Sequence, residues 1–126
     1  VDGILAESAE ESNLVVDGHK AIHAALLAGG TDFVTQFGVG VGAIAPAAGN
    51  SALSSPFIKA LDSNNHSSNS ATFAFSLGSG EANGMAISEF GLLTTAGALY
   101  ARRVRVSPLT KTSLVSIAGT WTITFP

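Results

Sequence analysis

The sequence predicts a mainly β fold, an antiparallel β-sandwich or flattened barrel with one short N-terminal helix and an extended N-terminal arm. Two stretches, 71–77 and 115–125, alternate apolar and polar or small residues with the period of two that half-buried strands require. Two largely apolar runs, 86–93 and 98–106, flank a short link that ends in Gly97, which predicts a hairpin. The length of 126 residues suits one domain.

The N-terminal quarter predicts the arm, one short strand and the helix. Residues 1–12 show no apolar period, and every charged residue among the first seventeen is acidic. Such a segment gains little by folding alone, so we expect an extended arm over 1–12 and a single sandwich domain over 13–126. Residues 13–16 form a short apolar strand candidate. Asp17 is placed to cap a helix over 18–28, which the following two glycines would end.

The middle of the chain predicts strands separated by polar loops. Over 33–43 apolar residues alternate with other residues and then with three glycines, which leaves one face of the strand bare for close packing. A Pro-, Gly- and Ser-containing loop is expected over 45–55 and a strand over 57–61. Residues 62–70 are polar throughout and predict a mobile loop.

The predicted core lies between the alternating strands near the end of the chain. A loop around Ser107-Pro108 leads towards the last strand, in which Trp121 faces inward while Thr120 and Thr122 face outward. We expect one core that contains Phe73, Phe75, Leu77, Val115, Ile117, Trp121 and Ile123.

Composition narrows the classes of partner. Only 12% of the residues are charged, about half the usual share, which suggests that part of the surface is buried against other protein. The net charge of −3 gives no reason to expect nucleic-acid binding. No apolar run approaches the roughly 18–20 residues that span a bilayer, so we expect no membrane partner. The absence of cysteine excludes disulfides and thiolate metal sites.

Candidate sites for catalysis and cofactors are weak. The Gly38-Val-Gly40-Val-Gly42 run lacks the GxGxxG spacing and the following helix that a dinucleotide site needs. His19 and His23 lie one helical turn apart, which fits either a metal site or surface and capping histidines. No GxSxG nucleophile elbow occurs. We therefore expect a protein that is not an enzyme, with no catalytic residues, cofactor or metal.

Glu89 is the one acidic residue inside a predicted strand of the hairpin. Alternation places it on one face with Ile87 and Gly91. If that face is buried, the carboxylate needs a cation or backbone donors, and Arg102 or Arg103 on the partner strand is the natural candidate. The alternative is a solvated carboxylate on an exposed face.

Opposite charges near the two ends of the chain suggest an interface. Four of the six basic residues lie between positions 102 and 111, while the arm is acidic. We expect the arm to dock on a neighbouring subunit or another partner, with apolar anchors because exposed ion pairs contribute little. The candidate interface residues are Ile4, Leu5, Glu10, Glu11, Arg102, Arg103, Arg105 and Lys111.

Several short motifs, in this order, resemble one protein family. The chain reads Phe-Gly-Val-Gly-Val-Gly over 37–42, Ala-Pro at 45–46, Asn-Ser-Ala-Leu over 50–53, Ile-Ser-Glu-Phe-Gly-Leu over 87–92 and Gly-Ala-Leu over 97–99. It is similar to the N-terminal attachment domain of tail-collar and tail-fibre proteins of tailed bacteriophages. In that domain a Gly-rich strand precedes a proline loop, an x-T-A-L segment, an E-[IF]-G-L strand and a G-x-L hairpin. Residues 103–108 depart from the family's Asn-Phe-Pro-Pro.

The resemblance implies a non-enzymatic virion component that assembles in the host cytoplasm. It would form a homo-oligomer, a trimer or higher, and bind other virion proteins. The first expectation is a tail or collar adaptor. No fibre shaft follows Phe125 here, so a capsid decoration protein is the alternative. A receptor- or carbohydrate-binding β-sandwich belongs to another class, and one Trp and one Tyr offer few aromatic platforms for sugars.

Overall fold

The computed structural model describes residues 4–7 and 13–125, with backbone alone for 4–7 and 13. Over these residues two sheets, one of four strands and one of five, are accompanied by one short helix. The predicted mainly β fold is therefore confirmed, and the two sheets are consistent with a β-sandwich. The elements are β1 Ile4–Glu7, β2 Asn13–Val15, α1 His19–Leu27, β3 Val34–Gly40, β4 Phe57–Ala60, β5 Ser63–Ser67, β6 Ser70–Leu77, β7 Ala86–Thr94, β8 Leu99–Thr110 and β9 Ser116–Thr124.

The four-stranded sheet has the order β1-β9-β6-β5. Its centre is the antiparallel pair β6 and β9, which runs from Ser70 opposite Thr124 to Leu77 opposite Ile117. These are the two stretches with the clearest alternation in the sequence. Trp121 is 2% exposed while the threonines on either side of it are exposed, so the predicted register is confirmed.

The five-stranded sheet has the order β2-β8-β7-β3-β4 and contains the predicted hairpin as β7 and β8. The pairing of β7 with β8 shifts register between Ile87 and Glu89 and again between Leu92 and Leu93. A register shift changes the face on which the following side chains lie. Ile87 and Phe90 consequently both join the main core, which strict alternation does not allow.

The main core lies between the two sheets. Its aromatic centre is a row of three rings, with Phe75 5.1 Å from Phe37 and 5.9 Å from Phe90 between centroids. Six of the seven predicted core residues are buried, and Val115 is partly buried against the same cluster. The sequence therefore predicted the core of the four-stranded sheet well.

The loop over 41–56 covers the other face of the five-stranded sheet. Leu53 in this loop packs with Val16, Leu93 and Leu99 in a second, smaller buried cluster. A strand that is buried on both faces needs apolar or paired residues at nearly every position. This explains why β7 is buried at eight consecutive positions and carries a long apolar run.

The helix α1 is one residue shorter at each end than predicted. Ile22 is its buried residue, and Gly29 follows its C-terminus at a φ of 94°, the left-handed conformation that favours glycine. The prediction that Asp17 caps the helix is wrong, because Gly18 occupies the N-cap position without a side-chain hydrogen bond. Nowhere in the described part of the chain does a helix reach the length and apolarity needed to cross a membrane.

Four local expectations differ from the structure, and the first is the strand expected over 33–43, which ends at Gly40. Part of the loop predicted over 62–70 is the edge strand β5, which pairs with β6 although every residue in it is exposed. Ser107 and Pro108 lie within β8 instead of in a loop. Phe33 precedes β3 and is 49% exposed, because an irregularity between Val34 and Gln36 interrupts the alternation.

The arm is extended where the structure describes it. Its residues Ile4–Glu7 form β1, which runs parallel to β9 of the same chain with Ile4 opposite Ser116 and Glu7 opposite Gly119. This corrects the expectation that the whole arm leaves its own domain, since an edge strand already holds these four residues. Glu10 and Glu11 lie outside the described residues.

Candidate functional site

Glu89 is the centre of a buried polar cluster on β7. The side chain is 1% exposed, and its Oε1 accepts a hydrogen bond from Arg102 Nε at 2.7 Å. Its Oε2 accepts from the backbone N–H of Gly42 at 2.9 Å and of Ser54 at 2.6 Å. Arg102 also donates to Asn50 Oδ1 at 3.1 Å. We call these five residues the glutamate cluster.

The bare face of β3 makes room for this carboxylate. A Cβ on Gly40 would lie 2.5 Å from Glu89 Oε2 and 2.8 Å from the carbonyl oxygen of Ser54. A Cβ on Gly42 would lie 2.8 to 2.9 Å from the carboxylate atoms. Distances below 3.0 Å are not tolerated without a shift of the structure, so both positions require glycine for space. Packing around Glu89 therefore explains Gly40 and Gly42, while a Cβ on Gly38 would meet Leu53 Cδ1 at 2.9 Å.

The glutamate cluster fastens the loop over 41–56 to the sheet. Of the two arginines that the sequence offered as partners, Arg102 is the one that pairs with Glu89, and the alternative of a solvated carboxylate is wrong. Three charge-assisted hydrogen bonds compensate the burial of the carboxylate. With 1% and 4% of their surface exposed, Glu89 and Arg102 have no open access for a substrate. The cluster therefore stabilises the fold.

The other basic residues of the predicted interface occupy separate places. Arg103 lies in the main core, 2% exposed, with its guanidinium carbon 4.7 Å from the Phe90 ring centroid and 6.0 Å from that of Trp121. Lys111 is fully buried, and its Nζ donates to Asn83 Oδ1 at 2.9 Å and to the Thr112 carbonyl at 3.0 Å.

The basic residues therefore do not form one exposed surface. Arg105 is half-buried and donates from Nε to the Ser107 carbonyl at 3.1 Å, while Arg102, Arg103 and Lys111 are buried. Side chains already buried in one subunit are not available to attract a distant arm through solvent. The expectation of a single basic docking surface is corrected on this point. The docking of the arm on a neighbour stays a prediction.

An open groove lies beside α1, and we call it the helix groove. Its volume is about 350 Å³. Val34, Phe73 and Ile123 at its floor belong to the main core, so the groove gives access to one end of the sandwich. Phe33 and Phe125 also line it and are 49% and 42% exposed. A concave apolar site with a few polar groups is the usual form of a small-ligand site.

Polar groups lie on two sides of the helix groove. On the helix side, His23 Nε2 and the Tyr100 hydroxyl are 2.9 Å apart and share a hydrogen bond. On the opposite side, β5 contributes Asn64, Asn65 and His66. Asn64 donates to the Val34 carbonyl at 3.1 Å.

Burial keeps the His23–Tyr100 pair neutral near pH 7. Desolvation, with a smaller contribution from the neighbouring His19 ring, lowers the pKa of His23 below its usual 6.5. Desolvation also raises the pKa of Tyr100 above its usual 10.0. A neutral imidazole and a neutral phenol therefore share this hydrogen bond.

His19 and His23 share a face of α1, as their spacing predicted, with ring centroids 5.1 Å apart. The Nδ1 atom of His19 lies 2.8 Å from the Val16 carbonyl oxygen and donates to it. Within residues 14–125, no group of three or more His, Asp or Glu side chains is arranged to hold a metal ion.

Sequence reasoning missed the helix groove because its lining comes from six elements of the chain. The helix, the start of β3, the strands β5 and β6, the start of β8 and the end of β9 meet only after the sandwich has formed. The available signal was the helical spacing of His19 and His23 with Leu26. That spacing indicated a shared face, but it did not indicate an opposing wall.

Comparisons of this chain with protein-family models, with characterised proteins and with solved structures found no match.

Proposed function

We propose that this chain is a non-enzymatic structural protein of a tailed-phage virion, a tail or collar adaptor that binds copies of itself and other virion proteins. The observation that carries the proposal is the glutamate cluster. It joins Gly42, Asn50 and Glu89, which belong to three separate motifs of the resemblance to tail-collar and tail-fibre attachment domains. These motifs therefore have a shared structural purpose in this chain, which supports the resemblance.

The surface of the described residues supports a role in protein contact. Four large apolar side chains are mostly exposed: Val106 at 98%, Leu27 at 90%, Ile44 at 82% and Leu114 at 77%. Single exposed apolar residues are common, but these accompany a chain in which 12% of residues are charged. Burying such side chains against a neighbour contributes about 1.5–3 kcal/mol each.

The arm offers a route to assembly. The pairing of β1 with β9 covers four residues of the arm, and β1 lies at the edge of its sheet. The same backbone pairing made with β9 of a neighbouring copy preserves its hydrogen bonds, which is how exchanged strands link subunits. Residues 1–12 are therefore the segment whose removal tests assembly most directly.

The first experiment measures assembly in solution. Light scattering after size exclusion, over a range of protein concentrations, should show a trimer or higher oligomer that dissociates on dilution. Deleting residues 1–12 should shift this equilibrium towards the monomer. Val106→Asp should weaken assembly as well, while Ser107→Asp, at an exposed neighbouring position, is the matched control. A full-length chain that remains monomeric and binds no virion protein contradicts the proposal.

The second experiment locates the protein. Immunogold electron microscopy of particles from a phage that encodes this chain should label the tail or collar. Label spread over the head would instead identify the alternative, a capsid decoration protein. Absence of label from purified particles, with label present in the infected cytoplasm, rejects both virion roles.

A receptor- or ligand-binding module is the second candidate function, and the helix groove favours it. Phe33 and Phe125 expose aromatic surface at the groove. Trp121 and Tyr100, the residues best suited to sugar stacking, are 2% and 5% exposed. The groove is thus better suited to an apolar ligand than to a carbohydrate. Screening of the full chain against a glycan array should give no binding, and saturable binding of a glycan would favour this candidate over the adaptor.

A further inference from the structure

The three histidines of the sequence gather at the helix groove. His23 lines it from α1 and His66 from β5, while His19 lies behind His23 with its ring centroid 6.3 Å from that of Tyr100. They come from two elements separated by about forty residues in sequence, so helical spacing alone does not explain the arrangement. Their placement gives the groove a titratable rim around an apolar floor.

The described lining of the helix groove carries no fixed charge, and its imidazoles can gain only a positive charge. Among the described residues that line it there is no Asp, Glu, Lys or Arg. The polar side chains that face it are two imidazoles, one phenol and the amide of Asn64, all of which can donate hydrogen bonds, whereas Asn65 lies opposite Thr72 and faces outward. A ligand with an anionic head meets no repelling carboxylate there. A ligand with a cationic head finds no carboxylate to neutralise it, and it is repelled when an imidazole is protonated.

The size of the groove limits the ligand. Its volume of about 350 Å³ lies at the lower end of the range for small-ligand sites, so a small molecule fits it best. The floor residues Val34, Phe73 and Ile123 offer apolar contact to most of such a molecule. His23 and Tyr100 already satisfy each other, so the exposed His66, which shares the inner face of β5 with Asn64, is the better place for a polar head.

We propose that the helix groove binds a small amphipathic carboxylic acid, with its apolar body on the floor and its carboxylate at His66, beside Asn64. The imidazoles favour an anionic head over an amine, and the hydrogen-bond donors favour a polar head over a neutral alkane. The proposal does not depend on the virion role, because it concerns a site within one subunit.

Affinity for the carboxylate should rise as the pH falls below neutrality. The titratable groups around the groove are His19 and His23 on α1, His66 on β5 and Tyr100 on β8. Phe125, whose ring centroid lies 5.9 Å from that of His23, carries no charge. Protonation of an imidazole places a positive charge beside the anionic head, while a carboxylic acid with an ordinary pKa stays ionised down to about pH 5.

The test uses sodium octanoate, a carboxylate of ten non-hydrogen atoms, titrated into the isotopically labelled full chain and followed by NMR. We expect saturable shifts of the amide signals of Ile22, Phe73 and Ile123. The apparent affinity should be at least about threefold higher near pH 5.5 than near pH 7.5. Octylammonium chloride, which has the same chain length and the opposite charge, should bind at least about fivefold more weakly than octanoate near pH 5.5.

Two adjacent leucines provide matched variants. Leu26 lines the groove and is 36% exposed, whereas Leu27 is 90% exposed and does not line it. Leu26→Glu should weaken octanoate binding by roughly tenfold, because it adds a negative charge at the groove wall. Leu27→Glu adds the same charge on the same helix and should leave binding within about twofold. Circular dichroism checks that both variants are folded.

Three results would contradict the proposal. Equal loss of binding in Leu26→Glu and Leu27→Glu would place octanoate elsewhere on the surface and overturn the proposal. Octylammonium binding as tightly as octanoate would show that the groove does not select an anion. Absence of saturable shifts at either pH rejects the site, and light scattering of the same samples reports the assembly state separately.

Discussion

The strongest prediction concerns Arg102, whose loss should leave Glu89 as an uncompensated charge in the protein interior. Arg102→Met keeps most of the aliphatic stem and removes the guanidinium that lies 2.7 Å from Glu89 Oε1. Removing one partner of a buried pair destabilises by about 3–5 kcal/mol. For a domain with a typical stability of about 5–15 kcal/mol, this is a large fraction of the total.

A double-mutant cycle isolates the interaction. Glu89→Gln alone should also cost about 3–5 kcal/mol, because it leaves the Arg102 cation buried without a counter-charge and turns an amide N–H group towards the donors on Gly42, Ser54 or Arg102. With Arg102→Met also present, the buried charge is absent and the combined cost should fall at least about 1 kcal/mol below the sum of the single costs. The measurement is urea unfolding followed by circular dichroism and by the fluorescence of the single tryptophan.

An exposed ion pair supplies the control. Lys20 Nζ lies 3.8 Å from Asp17 Oδ1, and both side chains are mostly exposed to solvent. Lys20→Met should change stability by no more than about 0.5 kcal/mol. If Arg102→Met costs less than about 1 kcal/mol, or if the cycle is additive, the reasoning about the glutamate cluster is wrong.

Three further changes test other parts of the fold. Gly40→Ala should destabilise by about 1–3 kcal/mol because its Cβ meets Glu89 Oε2 at 2.5 Å, while Gly49→Ala, with open space around it, should be nearly neutral in the same urea assay. Trp121→Ala should cost about 3–5 kcal/mol, and a cost below about 1 kcal/mol would mean that this side chain does not pack in the core. Folding lowers the pKa of His23, so the unfolded chain binds more protons and stability should fall as pH drops below the usual 6.5. His23→Gln should reduce the loss of stability between about pH 7.5 and about pH 5.5, and an unchanged pH profile would refute this.

Elements whose sequence pattern is set by one buried face could be predicted from the sequence. β6 and β9 alternate cleanly because one side packs on the core and the other meets solvent, so Trp121 was correctly placed between two outward threonines. β5 could not be found this way. Its five residues are all exposed, and only the backbone of β6 gives them a strand conformation.

The candidate sites were less predictable because they depend on register and on distant contacts. Alternation alone could not choose between Arg102 and Arg103 as the partner of Glu89, since the register shift between Leu92 and Leu93 decides which arginine shares its face. The burial of Lys111 was also unexpected, because its partners Asn83 and Thr112 lie in turns. The helix groove could not be predicted without knowing how the two sheets and the helix are placed relative to each other.

The loop over 41–56 has a consequence for attempts to attach reporters or affinity tags to this protein. Its Pro, Gly and Ser residues mark it as a segment that tolerates insertion, and loops of this composition are the usual choice for that purpose. In this fold the same loop acts as a third layer over the five-stranded sheet, with Leu53 seated on the sheet and Ser54 bonded to Glu89. An insertion there would pull that layer away, whereas the exposed turn at Ser79 and Gly80 has room around it.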